Sequence, residues 1–137
     1  PMKAHCCGGH MTQISQSTGL ELIRQLLQNA VDNQADAIVT LCPMCQLNLD
    51  AYQNDVNKFF KTNYHIPVLY FTQLIGLAWG MSPAELGIGK EFVSAAPVLK
   101  AKIGVDVPEP EAEAAGKKKR PTKGELPMPR MPGEAKE

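Results

Sequence analysis

The sequence predicts an α/β domain, a small parallel sheet flanked by helices, with a disordered tail behind it. Three observations lead there. Helical apolar spacing and short β-branched runs alternate in the order helix, strand, helix, strand, helix, a pattern that a parallel sheet covered by helices satisfies. All eight aromatic residues fall within residues 52–92. From Val105 onward the chain carries six of its eleven prolines, with seven basic and seven acidic side chains. Such a segment cannot bury enough apolar area to offset the entropy of ordering it. The division is therefore a folded domain at residues 1–104, large enough for a modest core, and a tail rich in proline and charge at 105–137.

Each element follows from local pattern. Residues 18–33, TGLELIRQLLQNAVDN, place Leu20, Ile23, Leu27, Ala30 and Val31 at helical spacing, and Thr18 with Glu21 fits a capping box. The run ADAIVTLC reads as a buried strand at 37–41. Pro43 then occupies a first helical turn, where its missing amide proton is harmless. That helix continues through MCQLNLDAYQNDVNKFFK as one segment, with Cys45, Leu49, Tyr52, Val56 and Phe59 on one inward stripe. A second strand, IPVLYF, spans 66–71, and a helix, TQLIGLAWG, follows it. Ser82-Pro83-Ala84-Glu85 carries the signature of another short helix start, and Trp79 and Met81 read as packing residues at a helix end.

Charge narrows the function. The net charge is zero over the whole chain, and also within the domain and within the tail. That balance argues against a general nucleic-acid-binding surface. The basic run Lys117–Arg120 stands beside the acidic EPEAEA and reads as a self-compensating linker. No stretch approaches the roughly twenty apolar residues that cross a bilayer, and no secretory apolar region precedes the cysteines. Because Pro1 stands five residues before the first cysteine, the chain reads as the C-terminal part of a longer protein.

The chemistry lies in four cysteines arranged as two tight pairs, CCGG at 6–9 and CPMC at 42–45. The second pair falls at the carboxyl end of a strand and on the first turn of a helix, the edge where open α/β sheets bind ligands. Exposed amide protons there stabilise thiolates or an anionic group. The CCGG loop precedes the first helix and reaches the same edge. Several readings of these thiols stand. They could be separate buried thiols. Structural disulfides suit a reducing compartment poorly, and adjacent cysteines bridge only with strain. A thioredoxin-like dithiol site would use Cys42 and Cys45, with His65-Ile66-Pro67 as its proline loop, but leaves CCGG idle. A single zinc ion accommodates adjacent thiolates awkwardly. A polynuclear iron–sulfur centre employs all four, with Gly8 and Gly9 letting the backbone pass close to it. His5 and His10 flank the loop, either as ordinary loop histidines or as groups that deliver protons or contact an anionic substrate.

Cys6-Cys7-Gly8 and Cys42-Pro43-x-Cys45, with thirty-four residues between Cys7 and Cys42, resemble the cysteine-rich CCG domain of the heterodisulfide reductase B-subunit family. CPMCQLNLD and PVLYFTQLIGLAWGMSPAELGI are similar to that family too, so the resemblance covers nearly all of residues 2–104. It implies a Rossmann-like CCG domain, the C-terminal one of two, with Cys6, Cys7, Cys42 and Cys45 as metal ligands and Gly8 and Gly9 beside the cofactor. The family's further lone cysteine, upstream of CCG, has no match here. The implied cofactor is a non-cubane [4Fe–4S] cluster. The implied activity is reduction of a disulfide such as that of coenzymes M and B, or a bacterial equivalent. The implied partners are a second iron–sulfur subunit and a flavin-bearing subunit, in a soluble, cytoplasmic complex. Related CCG domains serve as electron-transfer subunits of succinate, glycolate and lactate oxidising systems, which leaves a relay role beside the catalytic one.

Overall fold

The computed structural model describes residues 2–107. The expected tail lies outside the described residues from 108 onward. One 3-10 turn, Met2–Ala4, leads into the CCGG loop, followed by α1 (Met11–Ile14), α2 (Gln16–Asp32), β1 (Ile38–Thr40), α3 (Pro43–Ala51), α4 (Gln53–Phe60), β2 (Val68–Tyr70), α5 (Phe71–Ala78) and α6 (Ala96–Ile103). β1 and β2 pair in parallel, with Ile38 opposite Val68 and Thr40 opposite Tyr70. The expected α/β class with its small parallel sheet is what the chain forms.

Side chains along a strand alternate between faces, and β2 uses both. Val68 packs with Leu20, Ile23 and Leu27 of α2, Leu49 of α3 and Val56 of α4. Leu69 points the other way, into Ile88, Ala95 at the N-cap of α6 and Leu99 within α6. Helices therefore cover both faces of the sheet. Fully burying an aliphatic side chain contributes about 1.5–3 kcal/mol, whereas the surface pair Arg24–Glu21, 2.7 Å apart, contributes under about 1 kcal/mol. The apolar stripe docks α2; the ion pair decorates it.

Several expectations need correction. The helix read at 18–33 begins earlier, with Ser15 as its N-cap. The Thr18–Glu21 capping box does not form. Thr18 shares a 2.9 Å hydroxyl contact with Ser15, and Glu21 instead accepts two 2.7 Å hydrogen bonds from Arg24. A forked guanidinium outcompetes a lone backbone amide for a carboxylate. Val31, set on the inward stripe by its spacing, is exposed.

The long helix after Pro43 is two helices, broken at Tyr52. The halves are tied to different parts of the chain. Asp50 accepts hydrogen bonds from the amides of Phe92 (2.9 Å) and Val93 (3.0 Å). Gln53 donates to the Ile66 carbonyl at 2.7 Å and accepts from its amide at 3.0 Å. The inward stripe consequently ends at Phe60, which packs on the core beneath Arg24, while Phe59 is 57% exposed.

Ser82 and Glu85 make their reciprocal contacts, at 2.7 and 3.4 Å, yet no helix follows. Gly87 and Gly89 adopt positive φ, 67° and 104°, and turn the backbone out of the helical path within one turn. Trp79 is 80% exposed and Met81 is also exposed, so neither is the packing residue expected. The sequence pattern assigns no element to α6. It ends at Gly104 with φ 68°, and Val107 beyond it still packs against the second cluster.

Candidate functional site

The parallel register puts the carboxyl ends of both strands on one edge. Cys42 leaves β1 with extended backbone and becomes the N-cap of α3, with Pro43 at the first helical position as expected. At the start of α3 the nearby backbone amides of Cys45 and then Met44, with the neighbouring Cys45 thiol, hold the Cys42 thiol below the ordinary range. Cys45 behaves oppositely. Burial, and then the sulfurs of Cys7 and Cys42, push its thiol up to about 12. The thiols of two cysteines on one helical turn are thus shifted in opposite directions.

Cys7 arrives from the other pair. It is 4% exposed, and its thiol donates to the Cys45 sulfur at 3.1 Å. Two features hold it there. Asn48, buried on α3, donates to the Cys7 carbonyl at 2.6 Å. Gly8 takes φ 72°, and a Cβ at that position would lie 3.0 Å from Cδ1 of Leu22 on α2. Both the left-handed backbone and the close approach to α2 require glycine. Gly9 differs: a Cβ there would meet only Cys7 Sγ and Met44 at 3.9 Å, ordinary contact distances.

Cys7, Cys42 and Cys45 line one cavity of about 390 Å³, with His5, the outer edge of β1 and the apolar face of α2 around them. Cys6 is not part of that wall. It is exposed, and its sulfur accepts the Gly8 amide at 3.4 Å. Adjacent cysteines here point apart. His10 is exposed as the N-cap of α1, away from the cavity walls. Pro67 lies at the start of β2, where its carbonyl accepts the Ile38 amide at 2.9 Å. It therefore stands at the opposite end of the sheet from Cys42, and the suggested proline loop does not abut the C-x-x-C turn.

Among the described residues no three His, Cys, Asp or Glu side chains converge as a cage for a single metal ion. Cys7, Cys42 and Cys45 line one cavity with Cys6 on the adjoining loop, a set of thiols whose chemistry suits an iron–sulfur group. Sequence reasoning missed two residues. Asn48 was detectable as a polar residue beside Cys45 and Leu49 on an inward helix face. Thr40 lines the same cavity with a buried hydroxyl lacking a partner among the described residues, and nothing in the strand pattern marked it.

Comparison with known proteins bears on this arrangement. The cysteine-rich domain model named CCG matches residues 1–50. The 8-methylmenaquinol:fumarate reductase membrane anchor subunit of Wolinella succinogenes is 36% identical over 93 residues, covering 68% of this chain and 33% of that protein. The B subunit of the ferredoxin/F420H2-dependent CoB-CoM heterodisulfide reductase of Methanosarcina acetivorans is 43% identical over 93 residues, 66% of this chain and 31% of that one. The B subunit of the ferredoxin-linked CoB-CoM heterodisulfide reductase of Methanosarcina mazei is 41% identical over 93 residues, again 66% and 31%. The chain spans about a third of the length of these curated relatives, all of them named as subunits of reductases. No helix among the described residues is long and apolar enough to cross a membrane. Residues 1–50 thus match the cysteine-rich CCG domain, and B subunits of heterodisulfide reductases are among the proteins this chain is similar to.

Proposed function

We propose that the chain is an iron–sulfur subunit of a heterodisulfide reductase-like complex, in which a small disulfide is reduced at a non-cubane [4Fe–4S] cluster. The observation that carries this reading is the meeting of Cys7, Cys42 and Cys45 on one cavity at the carboxyl edge of the sheet. Cys6, Cys7, Cys42 and Cys45 would hold the cluster, Cys6 joining from the loop. Bound there, the cluster would supply electrons singly to a bond that takes two.

The chain's own residues do the rest. Cys42 gives up its proton more readily than an ordinary thiol because the nearby α3 amides favour its charged form. Cys45, whose proton the fold holds tightly, would have to give it up to serve as a thiolate ligand. Asn48 anchors the Cys7 carbonyl and keeps that ligand facing the cavity. Gly9 leaves the flank of Cys7 open. Ile38, Leu41 and Leu49 line the cavity with apolar side chains, and His5 in the same wall would give a proton to a departing thiolate. The disulfide of coenzymes M and B, or a bacterial equivalent, is the substrate class. The partners are a second iron–sulfur subunit and a flavin-bearing subunit, in a cytoplasmic complex.

The similarity to a fumarate reductase anchor subunit favours a second reading, in which the cluster only relays electrons. Electron paramagnetic resonance of the cluster-loaded chain, before and after adding a disulfide substrate, separates the two. A changed signal together with thiol production by the reconstituted complex supports the catalytic reading. A signal indifferent to every disulfide supports the relay. A chain that takes up no iron contradicts both.

A further inference from the structure

We propose that the cluster-free chain exchanges its thiols with small disulfides, entering at Cys42 and finishing as a disulfide between Cys7 and Cys45. The inference does not depend on the cluster reading, since it concerns the thiols when no metal occupies them. A C-x-x-C turn would lead one to expect Cys42 and Cys45 as the redox pair. The structure instead brings Cys45 into 3.1 Å contact with Cys7, thirty-eight residues away in sequence. That contact is enforced by protein alone, through the Asn48 hydrogen bond to the Cys7 carbonyl and the left-handed turn at Gly8. Cys6 cannot replace Cys7, because its side chain is exposed and turned to the Gly8 amide.

Access decides where the reaction begins. Cys42 is exposed, Cys45 is half-buried and Cys7 is buried, so an external disulfide meets Cys42 first. The cavity beside it, about 390 Å³ and walled by apolar side chains and His5, admits a small molecule. Cys42 thiolate attacks R–S–S–R, forming Cys42–S–S–R and releasing one thiolate. Cys45, losing its proton, attacks the Cys42 sulfur and releases the second thiolate. Cys7, losing its proton in turn, attacks the Cys45 sulfur and frees Cys42 as thiolate. One external disulfide is reduced to two thiols, and the Cys7–Cys45 dithiol is oxidised to a disulfide.

The test uses the full 137-residue chain, prepared anaerobically and iron-free, with glutathione disulfide as the probe. After alkylation of the remaining thiols, peptide mapping by mass spectrometry identifies the link. The expected product is a Cys7–Cys45 bridge, with two glutathione molecules released per chain. Cys42→Ser should slow the exchange about tenfold or more, and Cys7→Ser should stop at a Cys42–Cys45 bridge or a mixed disulfide. Circular dichroism confirms that each variant keeps its fold. A Cys42–Cys45 bridge as the final product of the wild-type chain would overturn the proposal. So would an unaltered rate in the folded Cys42→Ser protein. Iron binding is read separately, so a failed cluster reading leaves this result interpretable, and the reverse holds too.

Discussion

Cys42 and Cys45 share a helical turn and a cavity, yet their thiols are driven apart by where each sulfur sits. Thiolates, not thiols, are the alkylated species. At neutral pH in the cluster-free chain, iodoacetamide should therefore label Cys42 well before Cys45, as mass spectrometry would show; equal rates would refute the assignment. Because the fold holds the Cys45 proton up to about 12, its contribution to stability is full below the ordinary thiol value of about 8.5 and fades as pH rises from there toward 12. Gly8 offers a second prediction. Gly8→Ala must hold an L side chain at φ 72° against Leu22 and should cost about 1–3 kcal/mol in denaturant unfolding. Gly9→Ala should leave stability nearly unchanged. The four cysteines and Pro43 were legible in the sequence because spacing alone announces them. The Cys7–Cys45 contact was not, because it is set by Asn48 and a glycine turn acting across 38 residues.

At the scale of elements, the α3–α4 break shows how buried side chains override helical periodicity. Gln53 is 1% exposed and holds both polar groups of the Ile66 backbone, fixing the segment that enters β2. Gln53→Ala should lower stability by about 2–4 kcal/mol, since two buried backbone groups lose their partners, with an unchanged urea dependence. Glu21→Gln, by contrast, should cost under about 1 kcal/mol. Arg24, then Gln25, hold the Glu21 carboxyl down to about 2, so its contribution is present above the unfolded value of about 4.3 and is lost as pH falls through 2. An acid titration of both proteins would show their stabilities converging in that window. Three helices were readable from periodicity, because a buried stripe needs regular spacing, and both strands from their β-branched runs. The strand read at 37–41, expected to be buried, leaves Val39 and Leu41 exposed in a sheet of only two strands among the described residues. The split at Tyr52, the aborted helix after Ser82 and the whole of α6 were not, because distant backbone contacts and positive-φ glycines determine them.

For the molecule as a whole, a parallel sheet with helices on both faces gathers two distant cysteine motifs at its carboxyl edge, and from that edge the proposed chemistry follows. The α/β class and the approach of CCGG to CPMC could be read in advance from the order of elements. The exposure of Cys6, and the exposed Trp79 and Phe92, could not, since they depend on packing that periodicity does not encode. The central claim is that these thiols ligate a cluster. Its most direct test is anaerobic iron and acid-labile sulfide analysis, with electron paramagnetic resonance, on the reconstituted chain and on Cys7→Ser. The account predicts the iron and sulfide of one [4Fe–4S] cluster per wild-type chain, and their loss in the folded variant. A folded wild-type chain that retains neither iron nor sulfide would contradict it.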